Sequence, residues 1–313
     1  MKKTLLILLA VPIFIFSCKK DNSATNKLAK KYKVSFNVTN FVSKQGAFAL
    51  RRNTGSSAAA LPSLNTYFDV LHYIVYDDLH NTLEDVVQDS TMANMGMITD
   101  SLPAGTYRVT IVTGKKGLVT RPDFFAANDY GYGGNSWQDT FFDSFMITIG
   151  SSNVSQDVTL SRVVGKLEVT LLDNIPANAD SLIVSTNQEA YGQDLFEGIF
   201  MFGGYTNVRF AVAIPDSAKG KPNFTIDRLI GNCSSQFPLA IACKGTGNSI
   251  IASTTVQNVT CLANQKTIVS GDLFSALAGS NSQQQFTTKI DTAWGSSTTQ
   301  SSFSLRTKRY GNH

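Results

Sequence analysis

The chain has 313 residues and a formal net charge of +4 at neutral pH, far below what a nucleic-acid-binding surface requires. Hydrophobic residues make up 42% of the sequence and charged residues only 16%, a composition common in exported β-proteins. The length and the apolar content suffice for two ordinary domains, and no nucleic-acid partner is expected.

Residues 1–17 have the features of a secretory signal peptide. Lys2 and Lys3 give a basic start, and the apolar run that follows is too short to cross a bilayer as a helix. Cys18 follows Ser17 in a sequence (IFSC) that resembles the lipobox of bacterial lipoproteins, although an ordinary signal peptide with an incidental cysteine would look the same. We predict lipidation of Cys18 and anchoring in the outer membrane, with the protein facing the cell exterior.

Beyond the signal peptide, residues 18–32 are polar and rich in lysine, and they are predicted to form a flexible tether to the lipid. From residue 33 onward, short apolar or alternating runs are separated by turn signals roughly every ten residues, as in all-β sandwiches. Residues 67–77 are the most strongly β-forming segment, which predicts a central strand. His72 lies in this segment and is predicted to be a core or sheet-face histidine.

A change of domain is predicted near residue 160. Residues 151–160 alternate between apolar and polar side chains, as expected for the closing strand of a sheet, and residues 166–171 alternate in the same way. Two half-buried strands therefore meet at one short hinge. We place an N-terminal β-sandwich at residues 33–160 and a C-terminal β-sandwich at residues 161–275.

Residues 121–145 combine glycines with aromatic and amide side chains. Such side chains stack on sugars and bond their hydroxyl groups, or form an adaptable protein interface, and Tyr130, Tyr132 and Trp137 are the candidate contacts. The alternative, which we favour, is a long loop whose phenylalanines plug the end of the sandwich.

The cysteines indicate an oxidising location. If Cys18 carries lipid, Cys233, Cys243 and Cys261 remain, so one intramolecular disulfide is expected and one thiol is left over. The spacing does not decide the connectivity. A bridge from Cys233 to Cys243 would close a short loop, whereas a bridge from Cys243 to Cys261 would tie neighbouring strands.

No catalytic or cofactor motif is present. The sequence lacks a Gly-x-Ser-x-Gly elbow, a His-Glu-x-x-His pair and a dinucleotide glycine fingerprint. The three histidines, His72, His80 and His313, are isolated and no Cys-x-x-Cys pair occurs, so neither a histidine-based triad nor a zinc site is expected. A carboxylate pair for glycoside hydrolysis depends on the fold and not on spacing. We predict a non-enzymatic protein without cofactor or metal.

The final segment, residues 276–313, is polar and rich in serine, glutamine and threonine. It is predicted either to add one edge strand or to serve as a donor strand that another subunit accepts by strand addition.

A set of segments in a fixed order resembles the fimbrillin-associated anchor lipoproteins and their fimbrillin-like relatives, of the type V pili of Bacteroides-type bacteria. Besides the lipobox, the segments are residues 71–77 (LHYIVYD), 102–107 (LPAGTY), 160–169 (LSRVVGKLEV) and 264–274 (NQKTIVSGDLF). The resemblance spans most of residues 18–275. It implies two transthyretin-like, Greek-key β-sandwiches in tandem and a non-catalytic outer-membrane lipoprotein. Such a protein is the anchor, tip or minor subunit of surface fimbriae, with other fimbrial subunits as partners.

One departure concerns processing. In the fimbrial stalk subunits an arginine-directed protease removes the first strand, and Arg162 sits at a similar-looking hinge, but an anchor that is never cleaved fits this sequence better. The alternative function is a surface lipoprotein that binds host or environmental glycans through exposed aromatic side chains such as Tyr130, Tyr132 and Trp137.

Overall fold

A computed structural model describes residues 29–42, 64–115, 118–120, 124–126, 137–186, 189–202, 208–231, 233–275 and 286–292. Strands dominate these residues, which confirms the all-β prediction. The described helices are three 3-10 turns, at Leu64–Thr66, Asp216–Ala218 and Thr246–Asn248. None of these described helices has the length and apolar content needed to cross a membrane.

The first half of the chain builds a sandwich from one sheet that folds over on itself. The strands of this half of the chain are β1 (Lys31–Val42), β2 (Val70–Tyr76), β3 (Thr82–Asp89), β4 (Met97–Pro103), β5 (Gly105–Gly114), β6 (Val119–Thr120), β7 (Phe124–Ala126), β8 (Thr140–Ile149) and β9 (Val154–Arg162), and all but β6 and β7 belong to this sheet. The sheet order is β3-β2-β5-β8-β9-β1-β4, and β8 pairs with β9 at only two positions. The sheet therefore bends there, and β3-β2-β5-β8 faces β9-β1-β4 across the core.

The core of this sandwich is filled by alternating side chains of the two layers. Phe36 of β1 and Tyr73 of β2 are almost fully buried, and their ring centres lie 5.7 Å apart. All residues of β2 from Leu71 to Tyr76 are buried, because both faces of this strand are covered. This arrangement confirms the predicted central strand and the predicted core position of His72.

The second half builds a sandwich from two separate sheets. The strands of this half of the chain are β10 (Val164–Leu171), β11 (Ala179–Thr186), β12 (Gly192–Asp194), β13 (Phe200–Met201), β14 (Val208–Ala213), β15 (Phe224–Gly231), β16 (Cys233–Gly245), β17 (Ile250–Cys261), β18 (Lys266–Gly271) and β19 (Phe286–Asp291), and all but β12 and β13 belong to these two sheets. The sheets have the orders β15-β10-β18-β19 and β14-β11-β16-β17. One cluster of buried apolar residues, including Leu167, Leu182 and Ile241, lies between them.

The two halves share a small sheet and a third apolar cluster. The small sheet has the order β13-β12-β7-β6, so that β7 of the first half pairs with β12 of the second. The cluster combines Ile74, Tyr76 and Val112 with Val164 and Leu195. Part of the outer face of the first sandwich is therefore covered by residues of the second half.

The last strand, β19, pairs with β18 at the edge of its sheet and exposes most of its side chains. Within the predicted tail, residues 286–291 thus form an edge strand of the same molecule. Residues 276–285 and 293–313 lie outside the described part of the chain.

Candidate functional site

The two halves meet where β9 ends and β10 begins. Arg162, the last residue of β9, donates from Nε and Nη2 to the two carboxylate oxygens of Asp139, at 2.7 and 2.9 Å, and from Nη1 to Asn264 at 3.3 Å. The guanidinium lies 5.0 Å from the ring centre of Phe141, and 9% of the side chain is exposed. A bidentate pair of this kind, with a nearly buried guanidinium and a partly exposed carboxylate, fixes the geometry of both partners.

Arg162 therefore lies at the predicted hinge, but its surroundings do not suit a processing site. A protease must enclose the arginine side chain, whereas this guanidinium is already enclosed by its partners. A cut after Arg162 would also leave β1 in place, because both neighbours of β1, strands β4 and β9, precede the cut. Only a cut between β1 and β2 would separate β1 from the rest of its sheet, so cleavage at Arg162 stays a prediction without structural support.

Trp137 lies in the contact region between the two halves, which we call the junction, and not on the surface. Its side chain is 3% exposed, and Nε1 donates a hydrogen bond of 2.9 Å to the carbonyl oxygen of Ala190. The indole packs on Gly231, where a Cβ atom would lie 2.9 Å from the ring. The predicted glycan contact at Trp137 is therefore wrong, because a sugar cannot stack on a ring that the second half already covers. Tyr130 and Tyr132 lie outside the described residues.

A turn of the second half, after β12, docks on the outer face of the first sandwich. The hydroxyl of Thr110 donates to the carbonyl oxygen of Leu195 at 2.7 Å. The neighbouring ring of Phe196 is held by three side chains of the first half, namely Tyr76, His80 and Arg108. These contacts were not predicted from the sequence.

A buried ion pair lies in the second half beside the junction. Glu189 has a fully buried side chain and pairs with Arg228 of β15, and the hydroxyl of Thr186 donates to its other carboxylate oxygen at 3.3 Å. The guanidinium of Arg228 lies 4.9 Å from the ring centre of Phe210. Burial raises the pKa of Glu189 to about 7, and the charge of Arg228 acts in the opposite direction.

The edge strand β3 presents an unusual surface. It pairs with β2 on one side, and its other side meets no strand among the described residues. Leu83, Val86 and Val87 are 45%, 41% and 47% exposed. The strand also carries three carboxylates, Glu84, Asp85 and Asp89, and contains no lysine, arginine or proline.

The carboxylate of Asp89 accepts hydrogen bonds from Thr91, and these bonds lower the pKa of Asp89. Asp77, in the turn before β3, has its pKa lowered in the same way by hydrogen bonds from Asn81. Both groups therefore keep their negative charge to lower pH than an ordinary aspartate. The β3 edge, defined as residues 82–89, thus presents exposed apolar side chains and negatively charged carboxylates on the same strand.

Four other edge strands carry features that normally prevent strand addition. Strand β4 ends in Pro103, β19 carries Lys289 and β14 carries Arg209. Strand β17 has irregular pairing with β16, and Asn258 within it has a positive φ of 59°. Compared with these edges, the β3 edge is open to a further strand.

His72 does not have the geometry of a nucleophilic triad. Its Nδ1 atom lies 3.4 Å from Asp85 and 3.3 Å from the hydroxyl of Thr120, so the acid and the hydroxyl meet the same ring nitrogen. A nucleophilic triad needs them on opposite nitrogens. In the part of the chain that the structure describes, no three metal-binding side chains are grouped in a way that could hold a metal ion.

The cysteines are separated by the strand register. Cys243 is buried and lies opposite Leu182 and Ala252, near the far end of β16 from Cys233. Ten residues of strand span about 30 Å, whereas a disulfide needs Cα atoms within about 7 Å. A bridge from Cys243 to Cys233 or to Cys261, the two bridges considered from the sequence, is therefore excluded. Cys18 lies outside the described residues, and its lipidation stays a prediction.

The all-β fold is similar to that of a solved fimbrial anchor protein. The fimbrial anchor protein Mfa2 from Porphyromonas gingivalis matches with a TM-score of 0.52 at 10% sequence identity, over 84% of this chain and 98% of that chain. The fimbrillin-like fold implied by the sequence resemblance is thereby confirmed. A candidate adhesin from Bacteroides ovatus gives a TM-score of 0.49 at 12% identity, over 73% of this chain and 82% of that chain.

The C-terminally truncated tip fimbrial protein Mfa3 from P. gingivalis gives a TM-score of 0.43 at 10% identity, over 83% of this chain and 99% of that chain. The chain belongs to a family of unknown function, DUF6562, whose model matches residues 124–306. No curated protein matches the sequence.

Proposed function

We propose that this protein is a non-catalytic subunit of surface fimbriae, acting as anchor, tip or minor subunit, and that lipid on Cys18 holds it at the outer membrane. The observation that carries this proposal is the similarity of fold to a fimbrial anchor protein along almost the whole length of that protein. The lipobox-like sequence before Cys18 supports the anchor role.

The β3 edge is the proposed binding surface for a neighbouring subunit. An added strand would satisfy the backbone groups on the open side of β3 and cover Leu83 and Val87. Because the edge carries Glu84, Asp85 and Asp89, the incoming strand should contain lysine or arginine alternating with apolar residues. The same carboxylates disfavour pairing of one β3 edge with another copy of itself.

Two measurements in the native bacterium test this proposal. In the first, Cys18→Ala should move the protein from the outer-membrane fraction to the soluble fraction, because the lipid is lost. Retention of this variant in the membrane after a high-salt wash would contradict the lipid anchor.

The second measurement is cross-linking to purified fimbriae. The double variant Leu83→Lys and Val87→Lys should lose cross-linking, since two lysines on an edge strand block strand addition. Ile290→Lys on β19 is the matched control, because Ile290 is 42% exposed on another edge strand, and this variant should cross-link like the wild type. Wild-type cross-linking by the double variant would exclude the β3 edge, and absence of the wild type from fimbriae would exclude the fimbrial role.

A further inference from the structure

The strand register places two cysteines at directly opposed backbone positions of neighbouring strands. Cys233 begins β16 and Cys261 ends β17, and the two residues are direct partners in this antiparallel pair. Directly opposed residues in antiparallel strands have Cα atoms about 4.5 or 5.5 Å apart, depending on whether they exchange hydrogen bonds. Both separations fall within the range that a disulfide accepts, about 4.4 to 6.8 Å.

We propose that Cys233 and Cys261 form a disulfide in the exported protein and that Cys243 remains a thiol. The assignment follows from the register, because Cys243 lies about 30 Å along the strands from both other cysteines. It does not depend on the fimbrial role.

The chemistry requires an oxidant of the disulfide class, such as oxidised glutathione or the disulfide of a thiol oxidoreductase. One cysteine thiolate attacks a sulfur of the oxidant and forms a mixed disulfide, releasing the first thiol of the oxidant. The second cysteine of the pair then attacks the mixed disulfide and releases the second thiol. The two cysteines lose two electrons and two protons in total, and the oxidant gains them.

Cys243 is suited to remain reduced. Its side chain is buried in the core of the second sandwich, and burial raises its pKa to about 11. Because the thiolate is the reactive form, a thiol that stays protonated is a poor nucleophile for exchange.

The bridge would close the end of the β16–β17 hairpin that borders the junction. β16 starts two residues after Gly231, which packs against Trp137. β17 is followed by the turn that contains Asn264, whose backbone N–H donates to Val164 at 2.8 Å and whose side chain accepts from Arg162. A Cβ atom at Gly165 would lie 2.7 Å from the Sγ atom of Cys261, so this end of the hairpin is packed tightly against β10. The disulfide therefore fixes the spacing of two contacts that hold the halves together.

The test is a thiol count with peptide mapping on the full chain, purified from the membrane or oxidised with glutathione. Denatured but unreduced protein should contain one reactive thiol outside position 18, and a cross-linked peptide pair should contain Cys233 and Cys261. Three reactive thiols, a bridge that includes Cys243, or a bridge between two molecules would overturn the proposal.

Thermal unfolding provides a second readout. Reduction should lower the Tm of the wild type by roughly 10 °C, because the closed loop restricts the unfolded chain. Cys243→Ala should keep this reduction-dependent shift, whereas Cys233→Ser should remove it. Cys233→Ser is preferred to substitution of the buried Cys261, which is packed against Gly165. An equal shift in Cys233→Ser and the wild type would contradict the bridge.

Discussion

The first strands of the two sandwiches, β1 and β10, pair with their neighbours in the same way but differ in how the chain connects them to the rest of the protein. β1 is parallel to β9 and antiparallel to β4, and β10 is likewise parallel to β18 and antiparallel to β15. β10 follows β9 after a single residue, Val163, so no cut can release it without dividing the protein. β1 precedes its whole sheet in the chain, so that one cut before β2 would leave it attached only by non-covalent contacts.

The solvent faces of the two strands differ as well. On β10, Lys166 pairs with Asp227 at 2.5 Å and Glu168 pairs with Lys266 at 3.4 Å. On β1, the side-chain contact of Asn37 with Asp157 is 3.5 Å long. Partly exposed ion pairs contribute little individually, so both strands depend mainly on their buried faces.

The largest effect is expected from removing one buried side chain from β1 or from β10. Phe36→Ala in β1 and Leu167→Ala in β10 should each destabilise the protein by about 3 to 5 kcal/mol, because both side chains are fully buried. Hydrogen exchange followed by mass spectrometry should then show faster exchange in β1, β4 and β9 for the first variant and in β10, β15 and β18 for the second. Faster exchange in all six strands of either variant would mean that the halves unfold as one unit.

A second prediction concerns the junction between the halves. Arg162→Ala should cost about 3 kcal/mol in urea unfolding, because the carboxylate of Asp139 loses its bidentate partner. The exposed Arg209→Ala is the control and should change stability by less than about 0.5 kcal/mol.

The same contact also predicts resistance to proteolysis. An arginine-specific protease should leave the 162–163 bond intact in the native wild type and should cut it faster in Asp139→Ala, where the guanidinium loses its two hydrogen bonds to Asp139. Cleavage of that bond in the native wild type at the rate of an exposed arginine would revive the processing hypothesis for Arg162.

The smallest effect is expected from pH. Because burial raises the pKa of Glu189 to about 7 from 4.5, the native state binds this proton more tightly than the unfolded state. The stabilisation of the native state by this tighter proton binding is fully present below pH 4.5 and is lost as the pH rises through 7. Glu189→Gln removes it, so the stability of the wild type relative to this variant should increase by about 2 kcal/mol from pH 8 to pH 5. A constant difference between the two proteins across this range would show that Arg228 keeps Glu189 charged throughout.

Local patterns predicted the strands better than they predicted the contacts between them. The density of aromatic and β-branched residues in 67–77 predicts a central strand, and β2 is one. Trp137 remained a candidate surface contact in the sequence because a tryptophan near glycines has the same local pattern on a surface as in a junction. Its burial depends on Ala190 and Gly231, which are distant in sequence.

The cysteine pairing illustrates the same limit. Register shifts between Cys233 and Phe237 and between Phe237 and Leu239 change which residues of β16 and β17 face each other. No count of the intervening residues gives that alignment, so the sequence suggested two pairings that strand geometry forbids.

The small sheet that joins β7 to β12 has a mechanical consequence. Turning one sandwich against the other requires main-chain hydrogen bonds to break and the buried ring of Trp137 to leave its place. We therefore expect the molecule to act as a stiff spacer, so that a force applied to one sandwich is transmitted to the other without bending between them.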